Sequence, residues 1–256
     1  MWRYVDGFAV GTSHLETQSP CQDRCACSVV SSADGGQVLV AVVSDGAGSA
    51  PRSEEGAALV CERLATAAGE AVRASSDLDA LSDELVRSWF LDVRETLRAR
   101  AREAGNDVRD YAATALLAIA SDHQALCAQL GDGGIVVRRA QDEPFELAVW
   151  PGGGEYANET FFVTDDGAPE RIELRRYDRV VDVVAFSDGL QNLALEWSSR
   201  SAFGPFFGPL VATVRARADA NVRAELLAYL NSEAINRRTD DDKSLAIACR
   251  IEAGAA

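Results

Sequence analysis

The chain of 256 residues is 47% hydrophobic and 25% charged, a globular balance that excludes wholesale disorder and suits one large domain or two small ones. Twenty-five Lys and Arg against 40 Asp and Glu leave a net charge of −15, which disfavours nucleic-acid binding and suits a site for cations, although most of these carboxylates simply solubilise the chain. No apolar run reaches 18 residues and the first ten residues lack a long apolar core, so neither a membrane span nor a secretory signal is expected.

Short apolar runs at 8–10 and 25–30 predict strands. The continuous run 38–43, bounded by Gly35-Gly36 and Ser44-Asp45-Gly46, predicts a buried strand stopped by turn chemistry. Ser53 followed by Glu54 and Glu55 marks a helix start, with Ala57, Val60, Cys61, Leu64, Ala65 and Ala68 on one face. A second helix is expected over 77–103, its stripe being Leu78, Leu81, Leu85, Trp89, Val93 and Leu97. The arginines near its end suit a solvated C-terminal turn. Strands follow at 114–120, 126–130, 135–139, 145–149, 161–163, 172–174 and 180–186, then a helix over 218–236 and a strand over 245–251. Residues 151–160, opened by Pro151-Gly152-Gly153-Gly154, form a loop that could act as a flap over a site. Strands bracket the helices without regular alternation, which favours an α+β layered sandwich.

Scarcity narrows the chemistry. Two histidines, His14 and His123, cannot build a His-rich dinuclear site. Cys61, Cys127 and Cys249 sit in apolar stretches and suit free thiols of a reducing cytoplasm, while Cys21, Cys25 and Cys27 lack a second cluster to complete a metal site. No cysteine is followed six positions later by arginine, and no glycine-rich loop ends in Gly-Lys-Ser/Thr, so phosphocysteine and P-loop chemistries are absent.

One pattern recurs: an apolar strand ending in Asp-Gly, at Asp45-Gly46 and Asp188-Gly189, with a third instance at Asp132-Gly133. Asp132-Gly133 suits a hairpin turn, because another strand starts at Ile135. Asp45-Gly46 instead precedes a small-residue loop and a helix start, so a strand there presents a carboxylate beside a backbone that an ion can approach. Asp240-Asp241-Asp242 precedes the last strand; the triplet is either an exposed loop or a group whose repulsion a cation relieves. Asp45, Asp188, one of the triplet and Asp23 together suit Mg²⁺ or Mn²⁺, since their donors are hard oxygens. Two such ions can activate a water and clamp a phosphoryl group.

Gln22-Asp23, Ser44-Asp45-Gly46-Ala47-Gly48-Ser49, Ala113-Thr114, Gly131-Asp132-Gly133, Ser187-Asp188-Gly189-Leu190 and Asp241-Asp242-Lys243-Ser244 follow one another in an order that resembles the protein phosphatase 2C family. Gly11-Thr12-Ser13-His14 and the stretch 154–160 resemble a bacterial branch of it. The resemblance spans Val10 to Ile251. It implies one domain over 1–256, a four-layer α/β/β/α sandwich with two central antiparallel sheets, and Mg²⁺- or Mn²⁺-dependent hydrolysis of phosphoserine and phosphothreonine in proteins. It further implies that Asp45 bridges two metals, that the Gly46 carbonyl binds one, and that Asp188 and Asp241 complete the other. Asp23 would hold a water beside Gln22, and Asp132 matches the position of a weaker third metal. Two departures stand out. Gln18 replaces the phosphate-binding arginine, a task His14 could take over, along with protonating the leaving group. Asn192 replaces an aspartate, which counts against the third ion. The expected partners are a phosphoprotein and a cognate Ser/Thr kinase, in the cytoplasm. The rival reading, encouraged by Gln18, is a non-catalytic module that binds a phosphoprotein or signalling partner.

Overall fold

The structure, a computed structural model, describes residues 1–75, 77–151, 160–217 and 220–251. Its elements in chain order are β1 (Trp2–Ala9), α1 (Thr12–Thr17), β2 (Arg24–Ser31), β3 (Gln37–Ser44), α2 (Ser53–Ala74), α3 (Asp83–Ala104), β4 (Ala115–Ala120), β5 (Ala125–Leu130), β6 (Gly134–Arg138) and β7 (Glu146–Leu147). Then come α4 (Ala168–Arg171), β8 (Glu173–Tyr177), β9 (Asp182–Phe186), α5 (Gln191–Ala194), β10 (Leu195–Glu196), β11 (Ser201–Ala202), α6 (Gly204–Ala216), α7 (Ala220–Leu230), α8 (Glu233–Asn236) and β12 (Lys243–Arg250).

Two five-stranded sheets carry the fold, β1-β12-β9-β6-β7 and β2-β3-β4-β5-β8, and their pairings are antiparallel. Side chains alternate between faces along a strand. Leu39, Ala41, Val43, Leu116 and Ala118 of the second sheet therefore meet Ile135, Val137, Val183, Ala185 and Ala246 of the first. On the other face, Val40, Val42, Leu117 and Ile119 pack on Val60 and Leu64 of α2 and Phe90, Val93 and Leu97 of α3. The outer face of the first sheet packs Val184, Phe186 and Ile247 against Phe206, Phe207 and Val211 of α6 and Leu226 of α7. Strands covered on both sides become continuous apolar runs, which is why β3, β4 and β9 stand out in the sequence. The result is helices, sheet, sheet, helices.

Register sets where the site forms. In the first sheet Phe186 pairs with Leu245 and Gly134 with Phe186, so residues 188, 241 and 132 leave the sheet at the same end. In the second sheet Arg24 pairs with Ser44, Val43 with Leu116 and Ala115 with Leu130. Residues 23, 45 and 114 are thereby gathered at one end of that sheet.

The turn at Asp132-Gly133 is not a hairpin. β5 belongs to one sheet and β6 to the other, so Gly131-Asp132-Gly133 carries the chain across the sandwich. Gly131 and Gly133 take φ of 97° and 85°, and a Cβ on Gly133 would lie 2.5 Å from the Phe186 carbonyl oxygen. Other expectations shift in detail. Leu78–Ala80 forms a separate 3₁₀ turn, and Ser82, accepting from the Leu85 N–H at 3.2 Å, caps α3. The helix buries Val86 and Phe90 alongside Trp89, Val93 and Leu97 of the expected stripe, while Leu85 in its first turn is 38% exposed. Residues 161–163 are not a strand but enter a turn, with the Asp165 N–H donating to the Phe162 carbonyl. Residues 220–236 form two helices, α7 and α8. Helix α6 was not expected; Pro205 sits in its first turn and Pro209 inside it.

Gly133→Ala should lower stability by about 2–3 kcal/mol, since it forces a side chain into a left-handed backbone against a carbonyl. Urea denaturation of the variant measures the loss.

Candidate metal centre

Asp45 follows the last residue of β3, and Thr114 fixes its backbone. The Thr114 N–H donates to the Asp45 carbonyl at 2.8 Å, and the Asp45 N–H donates to Thr114 Oγ1 at 2.9 Å. The Ser44 hydroxyl donates to the Thr114 carbonyl at 2.6 Å. With its backbone held on both sides, Asp45 has a fixed position from which to aim its carboxylate. Gly46 bridges to Ala113 and its N–H donates to the Gln22 carbonyl at 3.2 Å.

Asp188 opens the 3₁₀ turn after β9. Ser187, just before it, is fully buried. Its hydroxyl donates to Asp23 Oδ2 at 2.5 Å and accepts from the Ser244 N–H at 2.9 Å. One oxygen thus ties together the segments that carry Asp23, Asp188 and Asp241. Asp132 reaches the same end through the crossover turn, and the Thr160 hydroxyl donates to its Oδ2 at 2.6 Å.

The outcome is a cluster. Each of Asp45, Asp132 and Asp188 places a carboxylate oxygen within 4.8 Å of the others, and all three residues are half-buried. They line a pocket of about 140 Å³ together with Gln22, Gly46, Phe162, Asp241 and Asp242. Asp241 stands at the exposed rim and its Oδ1 accepts from the Asp242 N–H at 2.8 Å. Asp23 is fully buried and lies behind the wall, not on it. His14 is also absent from the wall; its Nδ1 faces Asp242 Oδ2 at 2.9 Å. Gln18 is an exposed left-handed cap of α1, and Asn192 is exposed. The flap expectation falls mainly on 152–159, outside the described residues.

Crowding like charges in a desolvated place makes each harder to ionise. Burial first, then the charges of Asp23 and Asp188, pushes the Asp45 carboxyl well above its ordinary value. Burial, with Asp132 and Asp241 nearby, lifts Asp188 to about 7. Burial lifts Asp23 to about 7 against the hydrogen bonds from Ser187 and Asp45 that oppose it. Two buried carboxylate oxygens, Asp23 Oδ1 and Asp132 Oδ1, have no hydrogen-bond partner. Clustered, hard, partly unpartnered oxygen donors fit divalent cations of the Mg²⁺ and Mn²⁺ kind.

Two contributors to the pocket, Thr160 and Phe162, and one buried neighbour, Lys243, escaped the sequence reading. Thr160 orients Asp132 from 28 positions away. Phe162 provides an apolar part of the wall, packed near Ala47, Ala50 and Ala112. Lys243, the only lysine in the sequence, is fully buried; its Nζ donates to Asn236 Oδ1 at 3.1 Å, and burial lowers its pKa. The signal for Lys243 was its singularity beside three aspartates.

Residues 10–231 match the family model of protein phosphatase 2C. Serine/threonine-protein phosphatase 3 of Escherichia coli (strain K12) is 39% identical over 257 residues, covering 98% of this chain and 99% of that protein. Among solved structures, the serine/threonine phosphatase Stp1 from Staphylococcus aureus superposes with a TM-score of 0.62 at 16% identity, over 98% of this chain and 96% of that one. PppA from Pseudomonas aeruginosa gives 0.62 at 19% identity, over 97% of both. These two show a shared fold. A family match over most of the sequence, joined to a relative aligned almost end to end, makes this chain a member of the protein phosphatase 2C family.

Proposed function

We propose that the protein is a Mg²⁺- or Mn²⁺-dependent phosphatase of phosphoserine and phosphothreonine in proteins. The observation that carries this reading is the triad of carboxylate oxygens from Asp45, Asp132 and Asp188 within 4.8 Å of one another, in a family that is metal-dependent. The residues fit two cations: Asp45, the Gly46 carbonyl, Asp188 and Asp241 as ligands, with Asp132 placed to join them. Four carboxylates at −4 offset two divalent ions at +4. When bound, such ions supply Lewis-acid charge and ionise water at neutral pH.

The chain's own groups do the rest. Asp23 and Gln22 lie on consecutive positions beside Asp45, where they orient the water that attacks phosphorus. Asp23 Oδ1 is buried without a hydrogen-bond partner while Ser187 holds Oδ2, so Asp23 acts from behind the wall of the pocket. Phe162 and Ala47 give the pocket an apolar side against which the substrate's carbon atoms can rest. Among the described residues, none that lines the pocket is cationic, and Gln18 is exposed. Positive charge for the phosphoryl group would therefore come from the cations when they are bound. The crowded carboxylates also weigh against the non-catalytic module, which would have no use for them.

We place the protein in the cytoplasm, acting opposite a cognate Ser/Thr kinase. All six cysteines are free thiols, as a reducing compartment requires. No helix among the described residues is long and apolar enough to cross a membrane. Three arginines of α3 are engaged within the fold rather than free for nucleic acid: Arg94 and Arg98 pair with Asp166, and Arg100 with Glu55. We read 1–256 as one catalytic unit, because β1 and β12 from opposite ends of the chain pair over their whole lengths.

Asp45→Asn or Asp188→Asn should lower kcat on p-nitrophenyl phosphate with Mn²⁺ by at least about 100-fold. Circular dichroism should show the fold intact. Full activity of either variant at saturating Mn²⁺ would refute the assignment. Exhaustive chelation should silence the wild type.

Stability should also depend on pH. Asp23 and Asp188 have folded-state pKa values of about 7, above those of an unfolded aspartate. The native state then binds more protons than the unfolded chain between those values. In chelator, the melting temperature should fall as pH rises from about 5 to 8, and Mn²⁺ should restore it at pH 8. A melting temperature that rises over that window in chelator contradicts the crowding argument.

A further inference from the structure

Asp242 lines the pocket, yet both of its oxygens are already engaged. Oδ1 accepts from the Gly11 N–H at 2.6 Å. Oδ2 accepts from the Gln22 N–H at 2.6 Å and meets His14 Nδ1 at 2.9 Å. A carboxylate accepts only, so Nδ1 carries the hydrogen. All three donors come from residues 11–22, more than 200 positions away in sequence. Charge-assisted bonds of this kind are stronger than neutral ones.

The surrounding backbone is fitted as closely. The Asp240 carbonyl accepts from the N–H and the hydroxyl of Ser13 at 3.0 and 2.8 Å. A Cβ on Gly11 would collide with that carbonyl, and one on Gly189 would collide with the carbonyl of Asp242. Gln22 is gripped from both sides, since its N–H goes to Asp242 and its carbonyl accepts from the Gly46 N–H at 3.2 Å. A chain of contacts therefore runs from His14 through Asp242 and Gln22 to Gly46 and Asp45.

We propose that His14 and Asp242 form a latch that holds residues 11–23 against the turn bearing Asp241, and so positions Gln22, Asp23 and Asp45 for cation binding. His14 is then a positioning residue rather than a proton donor to the leaving group. The inference rests on the reading of the pocket as a metal centre. It also resolves the acidic triplet: Asp240 contributes its carbonyl, Asp241 its carboxylate to the cations, and Asp242 its carboxylate to the protein itself.

Three variants test the latch: His14→Ala, His14→Gln and His14→Asn. An asparagine amide can reproduce the Nδ1 donor, and a glutamine amide reaches too far. Mn²⁺ affinity is read by calorimetry. Rates are compared on a phosphoserine peptide, whose alkoxide must be protonated, and on p-nitrophenyl phosphate, whose leaving group needs no proton. His14→Ala and His14→Gln should weaken Mn²⁺ binding about 10-fold, as loss of an outer-shell partner does, and slow both substrates by the same factor. His14→Asn should recover most of the loss. The latch is overturned if Asn is no better than Ala, if Mn²⁺ affinity is unchanged in the Ala variant, or if the defect is confined to the phosphopeptide. Hydrogen exchange on the wild type adds a check that does not depend on variants folding: the Gly11 and Gln22 amides must be protected, and free exchange at both overturns the latch. A wild type that binds no Mn²⁺ at all would instead overturn the metal-centre reading.

Discussion

Electrostatic repulsion among carboxylates is the constraint that this structure is organised around. Asp45, Asp132 and Asp188 bring oxygens within 4.8 Å of one another, and burial raises the cost of ionising them. Folding must hold them there without a counter-charge from the described residues, none of whose cationic side chains lines the pocket. The sandwich does so with rigid strand ends. Antiparallel register fixes which residues emerge together.

Hydroxyls refine what the strands deliver. Thr114 brackets the backbone of Asp45, Thr160 holds Asp132, and Ser187 ties Asp23 to the strand that follows Asp241. Each is a short neutral group that orients a carboxylate without neutralising it. A lysine or arginine in the same places would stabilise the empty site and compete with the cation for the same oxygens. The charged partners found in the fold lie elsewhere, as where Arg138 and Arg215 meet the buried Asp182 at the far end of β9 from Asp188.

Much of this was legible in the sequence for a physical reason. β3 and β9 are buried on both faces, so they appear as apolar runs, and the Asp-Gly that ends each marks a strand-end carboxylate. Asp132 was harder. Its local pattern is that of a hairpin, and only the assignment of β5 and β6 to different sheets makes it a crossover. Leu85 fell on the predicted stripe but lies exposed in the first turn of α3, while Trp89, Val93 and Leu97 of the same stripe are buried. Helix α6, with Gly204, Pro205, Gly208 and Pro209, has the composition of a loop, and packing of Phe206 and Phe207 overrides it. The partners of Asp242 could not be read at all, since nothing local links position 242 with Gly11, His14 and Gln22.

The seclusion of Lys243 has a practical side. With the sole ε-amine enclosed, activated esters meet no accessible side-chain amine while the protein is folded. Acylation of Lys243 should therefore report opening of the end of the sandwich where Lys243 pairs with Ala9.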